Sequence, residues 1–234
     1  MNNNQIKPER KSPIHVQIRE IIRSKIEDGE YKPGEEIPPE TQLAKFYGLN
    51  RLTVRNAITA LVNEGLLKRV QGKGLFVAGR LTERNLGKLG GFTQTTRAKN
   101  VIPGRKLLYR TRRPAGIKYS RILSVPPESE LFYIRRLFLA NNEPVSIEDT
   151  YIPCDVCPDL GKVDLGVFSL YEIFGYHGIV LKEARQTMSL TTLSPKENHL
   201  LKLMADTPVL LFEYISYNTS GRAMEFNRSY TRSD

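Results

Sequence analysis

The 234-residue chain is poor in cysteine. Cys154 and Cys157 are its only two, both in the run Pro153-Cys-Asp-Val-Cys-Pro158. Only His15, His177 and His199 stand beside them as soft ligands. A lone C-x-x-C lacks the four ligands of a structural zinc site, so these are read as ordinary loop-edge thiols, and neither metal nor cofactor is expected. Long apolar runs are missing too. None approaches the roughly 20 residues that cross a bilayer, and the N-terminal Met-Asn-Asn-Asn-Gln-Ile-Lys-Pro-Glu-Arg-Lys has no apolar stretch of signal-peptide type. A membrane role is therefore not expected, and a cytoplasmic location is. Catalytic signatures are also lacking. There is no G-x-S-x-G elbow and no phosphate-binding glycine loop, since Gln71-Gly-Lys-Gly74 is too short for a P-loop. No catalytic residue is named, and no internal repeat stands out.

Acidic residues are scarce in two particular stretches. Lys45 to Arg80 holds seven Lys/Arg against Glu64 alone, and Arg97 to Arg121 holds nine with no acid. From Ile122 onward the balance reverses, with 10 Lys/Arg against 15 Asp/Glu. Basic charge on a chain of net charge +10 is thus clustered, which suits a polyanion partner. The run 97–121 is read as a solvated strand edge rather than a DNA contact. Length and a 40% hydrophobic content fit two ordinary domains of about 100–150 residues each.

The first domain, residues 1–78, is predicted to be helical with a basic hairpin. Ile14, Ile18, Ile21, Ile22 and Ile26 recur at spacings of three and four, which places them on one helix face between Pro13 and Gly29. Glu40 to Tyr47 reads as a short helix stopped by Gly48. Asn50 is placed to cap the next helix. In that helix Val54, Ile58, Leu61 and Val62 form the apolar stripe, while Arg51, Thr53, Arg55, Asn56 and Thr59 lie away from it. Arginine can pair bidentately with guanine and asparagine with adenine, and residues in the first turns of a recognition helix meet base edges. Leu66–Leu67 and Leu75–Val77 then read as strands around Arg69-Val-Gln-Gly-Lys-Gly74. Its glycines permit a tight tip, and Arg69 and Lys73 can reach phosphate or the minor groove.

These residues resemble the winged helix-turn-helix of the GntR family of bacterial transcription regulators. The resemblance rests on Pro13-Ile14, Lys32-Pro33-Gly34, Leu49-Asn-Arg-Leu-Thr-Val-Arg55, Glu64-Gly65-Leu66-Leu67 and Gln71-Gly-Lys-Gly74. It implies DNA contacts from Asn50, Arg51, Thr53 and Arg55 on the recognition helix, and from Gln71 and Gly72 on the wing, to which Lys73 is added by its own charge. One departure is Thr41, which stands where the family usually carries a DNA-approaching arginine.

Ala78 to Leu89 is polar and glycine-bearing and is read as the connection, bounded as residues 79–90. The remainder, 91–234, alternates strand-like and helical stretches. Strands are expected over 106–112, 132–139, 145–151, 184–193, 209–217 and 223–230. Helical stretches are expected over 170–174 and 195–204, with turns at Asn141-Asn-Glu-Pro144 and Asn218-Thr-Ser-Gly221. Antiparallel strands with a few helices make an α+β domain. Glu143-Pro-Val-Ser-Ile-Glu-Asp-Thr-Tyr-Ile-Pro153, Ser169-Leu-Tyr171, Thr207-Pro-Val-Leu-Leu211 and the stretch from Gly221 to Arg232 resemble the UTRA effector domain of the HutC-like GntR subfamily. That resemblance implies a chorismate-lyase-like antiparallel fold, a homodimer and a small-molecule effector such as a sugar phosphate. It also implies a domain end a few residues beyond Asp234. By the same resemblance, the effector residues are Phe92, Thr93, Arg136, Glu148, Ser169, Tyr171, Glu225 and Tyr230. Arg136 would hold a phosphate or carboxylate bidentately, and the two glutamates would accept from hydroxyls or an amine. Gly90-Gly91 stands where sugar-phosphate-responsive relatives carry hydroxyls, and Glu183 where some carry arginine.

Together the two domains imply a homodimeric, ligand-responsive repressor that reads palindromic double-stranded operator DNA for a carbohydrate or related metabolite operon. Two other functions compete with it. A nonspecific or architectural DNA binder would show equal affinity for all sequences. A chorismate-lyase-like enzyme rests on fold alone, and fold does not imply activity.

Overall fold

A computed structural model describes residues 13–79 and 102–233 of the chain. The linker expectation, Phe92, Thr93 and the Gly90-Gly91 pair lie outside the described residues. The chain divides into two compact units, an N-terminal one and a larger C-terminal one.

The isoleucine stripe of the first unit forms helix α1 (Ile14–Glu27), with Ile18 and Ile22 fully buried. Strand β1 (Glu36–Ile37) follows, then α2 (Glu40–Tyr47) and α3 (Arg51–Asn63). Gly48 ends α2 in the left-handed region, at φ 67°, a conformation that suits glycine because it has no Cβ. Only Leu49 and Asn50 then separate the helices. Strands β2 (Leu67–Val70) and β3 (Gly74–Val77) form the wing, and the three-stranded antiparallel sheet runs β1-β3-β2. β2 begins one residue later than expected and extends through Arg69 to Val70, so the tip is confined to Gln71–Lys73. The two-residue β1 was not anticipated. It pairs Glu36 with Phe76 and Ile37 with Leu75, and two residues carry no readable alternation. One core joins the elements, with Ile18, Ile22, Ile37, Leu43, Val54, Ile58, Leu61, Leu67, Leu75 and Val77 among its buried members.

The second unit is a six-stranded antiparallel sheet. Its strands are β4 (Pro103–Pro114), β5 (Glu130–Ala140), β6 (Glu143–Pro153), β7 (Leu181–Thr191), β8 (Val209–Asn218) and β9 (Ala223–Thr231), in the order β4-β5-β6-β9-β8-β7. β5 and β6 are joined through Asn141 and Asn142, both at positive φ (51° and 67°). This is the primed turn that matches strand twist, and asparagine tolerates it. Helices α4 (Gly116–Leu123) and α6 (Pro195–Leu201) cover one face of the sheet. There Tyr119 and Leu123 pack with Leu131, Tyr151 and Phe226, while Leu201 packs with Leu137 and Ile147. Helix α5 (Leu170–Tyr176) lies on the opposite face, where Tyr171 neighbours Tyr214, Ser216 and Glu225.

Two expectations change here. The described part of the basic run 97–121 is edge strand β4 as far as Pro114, but its last residues form α4 rather than a strand edge. The helix expected over 195–204 stops at Leu201. Lys202 turns left-handed at φ 55°, leaving Met204 exposed.

Candidate functional site

The candidate DNA-contacting residues lie on α2, on α3 with its cap, and on the wing tip of the first unit. Asn50 caps α3: its Oδ1 accepts from the Thr53 backbone N–H at 2.8 Å and from the Thr53 hydroxyl at 2.9 Å. The Asn50 oxygen is therefore committed to the helix, and its amide N–H groups are the part available to a base or phosphate. Arg51 and Arg55 are exposed, with 69% of the Arg51 side chain open to solvent. Gln71, Gly72 and Lys73 form the exposed wing tip, and Gly72 adopts φ 73°. Thr41 is exposed on the first turn of α2.

Glu40, which the sequence pattern did not single out, organises this surface. Its carboxylate accepts from Arg69 Nη2 at 2.7 Å and lies 3.8 Å from Arg51 Nε, with 14% of its side chain exposed. Arg69 is thus tied to α2 rather than projecting freely from the wing. The available signal was the Glu40/Arg69 charge opposition across the fold, which spacing along the chain does not reveal.

In the second unit the sheet assembles a buried polar cluster. Side chains alternate faces along a strand, and the register pairs Arg136 with Glu148, Thr150 with Asn227, Asn227 with Tyr214, and Glu225 with Ser216. All of these point to the α5 face. Arg136 Nη2 donates to Glu148 Oε2 at 3.2 Å and to Thr150 Oγ1 at 3.4 Å. Asn227 Nδ2 donates to Thr150 Oγ1 at 2.8 Å and to Glu148 Oε2 at 3.3 Å. The Ser216 hydroxyl donates to Glu225 Oε1 at 2.9 Å. Arg136, Glu148, Glu225 and Asn227 are all buried, while Arg136 Nε and Asn227 Oδ1 have no hydrogen-bond partner among the described residues. Buried polar atoms are rarely left so. This donor and this acceptor match a polar small molecule that offers the complementary groups.

Burial dominates the electrostatics. It pushes the Glu225 carboxyl up to about 7, against hydrogen bonds from Ser216 and Tyr171 and the attraction of Arg136. It also raises Glu148, with Arg136 opposing. Tyr171 and Tyr214 are raised by desolvation and so stay protonated as donors. Burial likewise lifts the Cys157 thiol to about 12, which suits an unreactive packing thiol.

The structure does not bring every candidate together. Ser169 is engaged in a capping box with Glu172: its Oγ accepts from the Glu172 N–H at 3.1 Å and donates to Glu172 Oε2 at 2.8 Å. Tyr230 faces the other side of the sheet. It lies opposite Ile147 and Leu211, under the Arg228 guanidinium and near Arg135 and Asp149. Tyr230 stands five positions after Glu225, and an odd spacing along the regularly paired stretch 225–230 puts the two side chains on opposite faces. Asn227, two residues from Glu225, is the member the sequence reading missed. The same alternation could have found it.

Residues 14–77 match the family described as bacterial regulatory proteins, gntR family, and residues 98–234 match the UTRA domain. The HTH-type transcriptional repressor NagR of Bacillus subtilis is 32% identical over 222 residues, covering 95% of this chain and 91% of that protein. The mannosyl-D-glycerate transport/metabolism system repressor MngR of Escherichia coli is 28% identical, covering 95% and 92%. The fold resembles the crystal structure of PhnF from Mycobacterium smegmatis, with a TM-score of 0.60 at 23% identity over 95% of each chain.

Proposed function

This chain belongs to the gntR family of bacterial regulatory proteins, with a UTRA domain behind its winged helix-turn-helix, and from that premise we propose that it is a homodimeric repressor released by a sugar-derived effector. The relatives are transcriptional regulators rather than enzymes. The repressors NagR and MngR support the repressor reading, and the control of mannosyl-D-glycerate transport and metabolism by MngR supports a sugar derivative as the ligand.

In this proposal residues 1–78 read DNA, 79–90 connect and 91–234 sense. Two copies place α3 in successive major grooves of a palindrome, with Arg51 and Arg55 toward base edges and the wing tip toward phosphate or minor groove. The effector settles in the buried cluster of Arg136, Glu148, Tyr171, Glu225 and Asn227, with Phe92 and Thr93 also contributing. It favours one arrangement of the paired reading heads over another, so its differential affinity for the two arrangements weakens operator binding. The protein works in the cytoplasm. The observation that carries the proposal is the unsatisfied Arg136 Nε and Asn227 Oδ1 inside an otherwise hydrogen-bonded buried cluster.

A thermal-shift screen of sugar phosphates, amino sugars and amino-acid-like metabolites, followed by gel shifts with the compounds that stabilise the protein, tests it. The expected result is a stabilising compound that also releases a specific duplex. A compound set that stabilises the chain but leaves DNA binding untouched would remove the regulatory link. Pyruvate release from chorismate would replace the proposal with an enzyme.

A further inference from the structure

We propose that Glu40 is a positioning residue that sets how selectively this chain reads DNA, by holding Arg51 and Arg69 in one arrangement and withholding them from phosphates. The inference rests on the reading that α3 and the wing contact duplex DNA. Glu40 opens α2, Arg51 opens α3 and Arg69 lies on β2. One carboxylate therefore links three elements of the reading surface. One oxygen accepts from Arg69 at 2.7 Å and the other lies 3.8 Å from Arg51. Glu40 is largely covered at 14% side-chain exposure, whereas the two arginines keep 42% and 69%.

This placement is electrostatically odd for a polyanion-binding face. From Thr41 to Asn63 the chain has no acid, so the reading helices are otherwise cationic or neutral. A carboxylate among them weakens attraction to any phosphate backbone, a sequence-independent contribution that dominates nonspecific affinity. What it supplies is geometry. A guanidinium already held in place loses less freedom when it pairs with a base edge. A guanidinium let loose pairs with any phosphate, and phosphate contacts carry no sequence information. Removing the charge should therefore move specific and nonspecific binding in opposite directions. A carboxylate serving only helix stability would lower both together.

The test uses the full chain, a duplex selected by it from a random library, and a scrambled duplex of equal length, titrated at several salt concentrations. Glu40→Gln is expected to bind the scrambled duplex severalfold more tightly. Its salt dependence should steepen by about one counterion per freed arginine, and its selected-to-scrambled ratio should fall about tenfold. Arg69→Gln breaks the same link from the other side. It should lower the ratio without raising affinity for the scrambled duplex, and it serves as the second variant should Glu40→Gln fold poorly. An unchanged ratio in both variants, or an equal loss on both duplexes, overturns the proposal. If the wild-type chain enriches no sequence from the library, the DNA-reading assignment itself falls and takes this inference with it.

Discussion

Arg51, on helix α3, leaves 69% of its side chain exposed, whereas Arg136, on the second strand of the six-stranded sheet, keeps 5%. Arg51 has the Glu40 carboxylate 3.8 Å from its Nε. Arg136 is enclosed by Glu148, Thr150 and the Phe138 ring, 5.0 Å from its guanidinium carbon. The same side chain is thus left open to solvent in one domain and built into the fold in the other. An exposed charge changes little on folding, because water solvates it in both states. A buried one has been desolvated and must be compensated inside the protein.

The sharpest way to break this contrast is to truncate Arg136. Arg136→Ala leaves Glu148 buried without its cation and should cost about 3–5 kcal/mol of stability, read as a fall in the urea midpoint at unchanged slope. A loss within experimental scatter would mean that Arg136 is no more part of the core than Arg51. Next in size is the pH response of the sensing domain. The Glu225 carboxyl is raised from 4.5 to about 7, so the folded state holds a proton that the unfolded chain releases. The group therefore destabilises the fold progressively as pH rises through the window from 4.5 to 7, by up to about 3 kcal/mol above it. Glu225→Gln should flatten that part of the stability curve, and a curve of unchanged shape between pH 5 and 8 would contradict the assignment. Arg51→Ala should show the converse pattern. It should lose about 1–3 kcal/mol of affinity for a selected duplex while its thermal midpoint barely moves. Smallest is Asn50→Ala, which removes the cap of α3 and should cost about 1 kcal/mol of stability. That change would show that even the reading surface has one residue with a folding role.

The two regions also differ in how far the sequence disclosed them. The reading head is built from local signals. Gly48 stops a helix, Asn50 caps the next, and the apolar stripe of α3 leaves Arg51 and Arg55 outside it, so the surface follows from short-range chemistry. Its one concealed member, Glu40, acts across the turn and across to β2, where only the fold supplies the proximity. The buried polar cluster comes from four strands whose order, β5-β6-β9-β8, brings residue 136 beside 148 and residue 227 beside 150 and 214. No spacing along the chain contains that adjacency, and family resemblance supplied what periodicity could not. Strand alternation along β9 is readable in the sequence: it separates Tyr230 from Glu225 and joins Asn227 to it. Helix α4 escaped notice because it follows a backbone with no capping side chain, starts at Gly116 with φ 61°, and buries only Tyr119 and Leu123. Over eight residues that is too little for a stripe to show.

The central claim, that this chain reads sequence through α3, is tested most directly by comparing wild type and Arg51→Ala on a selected and a scrambled duplex at matched salt. The predicted result is a wild-type preference of about a thousandfold or more for the selected duplex, reduced in Arg51→Ala with little change on the scrambled one. Equal affinity for both duplexes in the wild type, with a steep salt dependence, would contradict it and leave a nonspecific DNA binder.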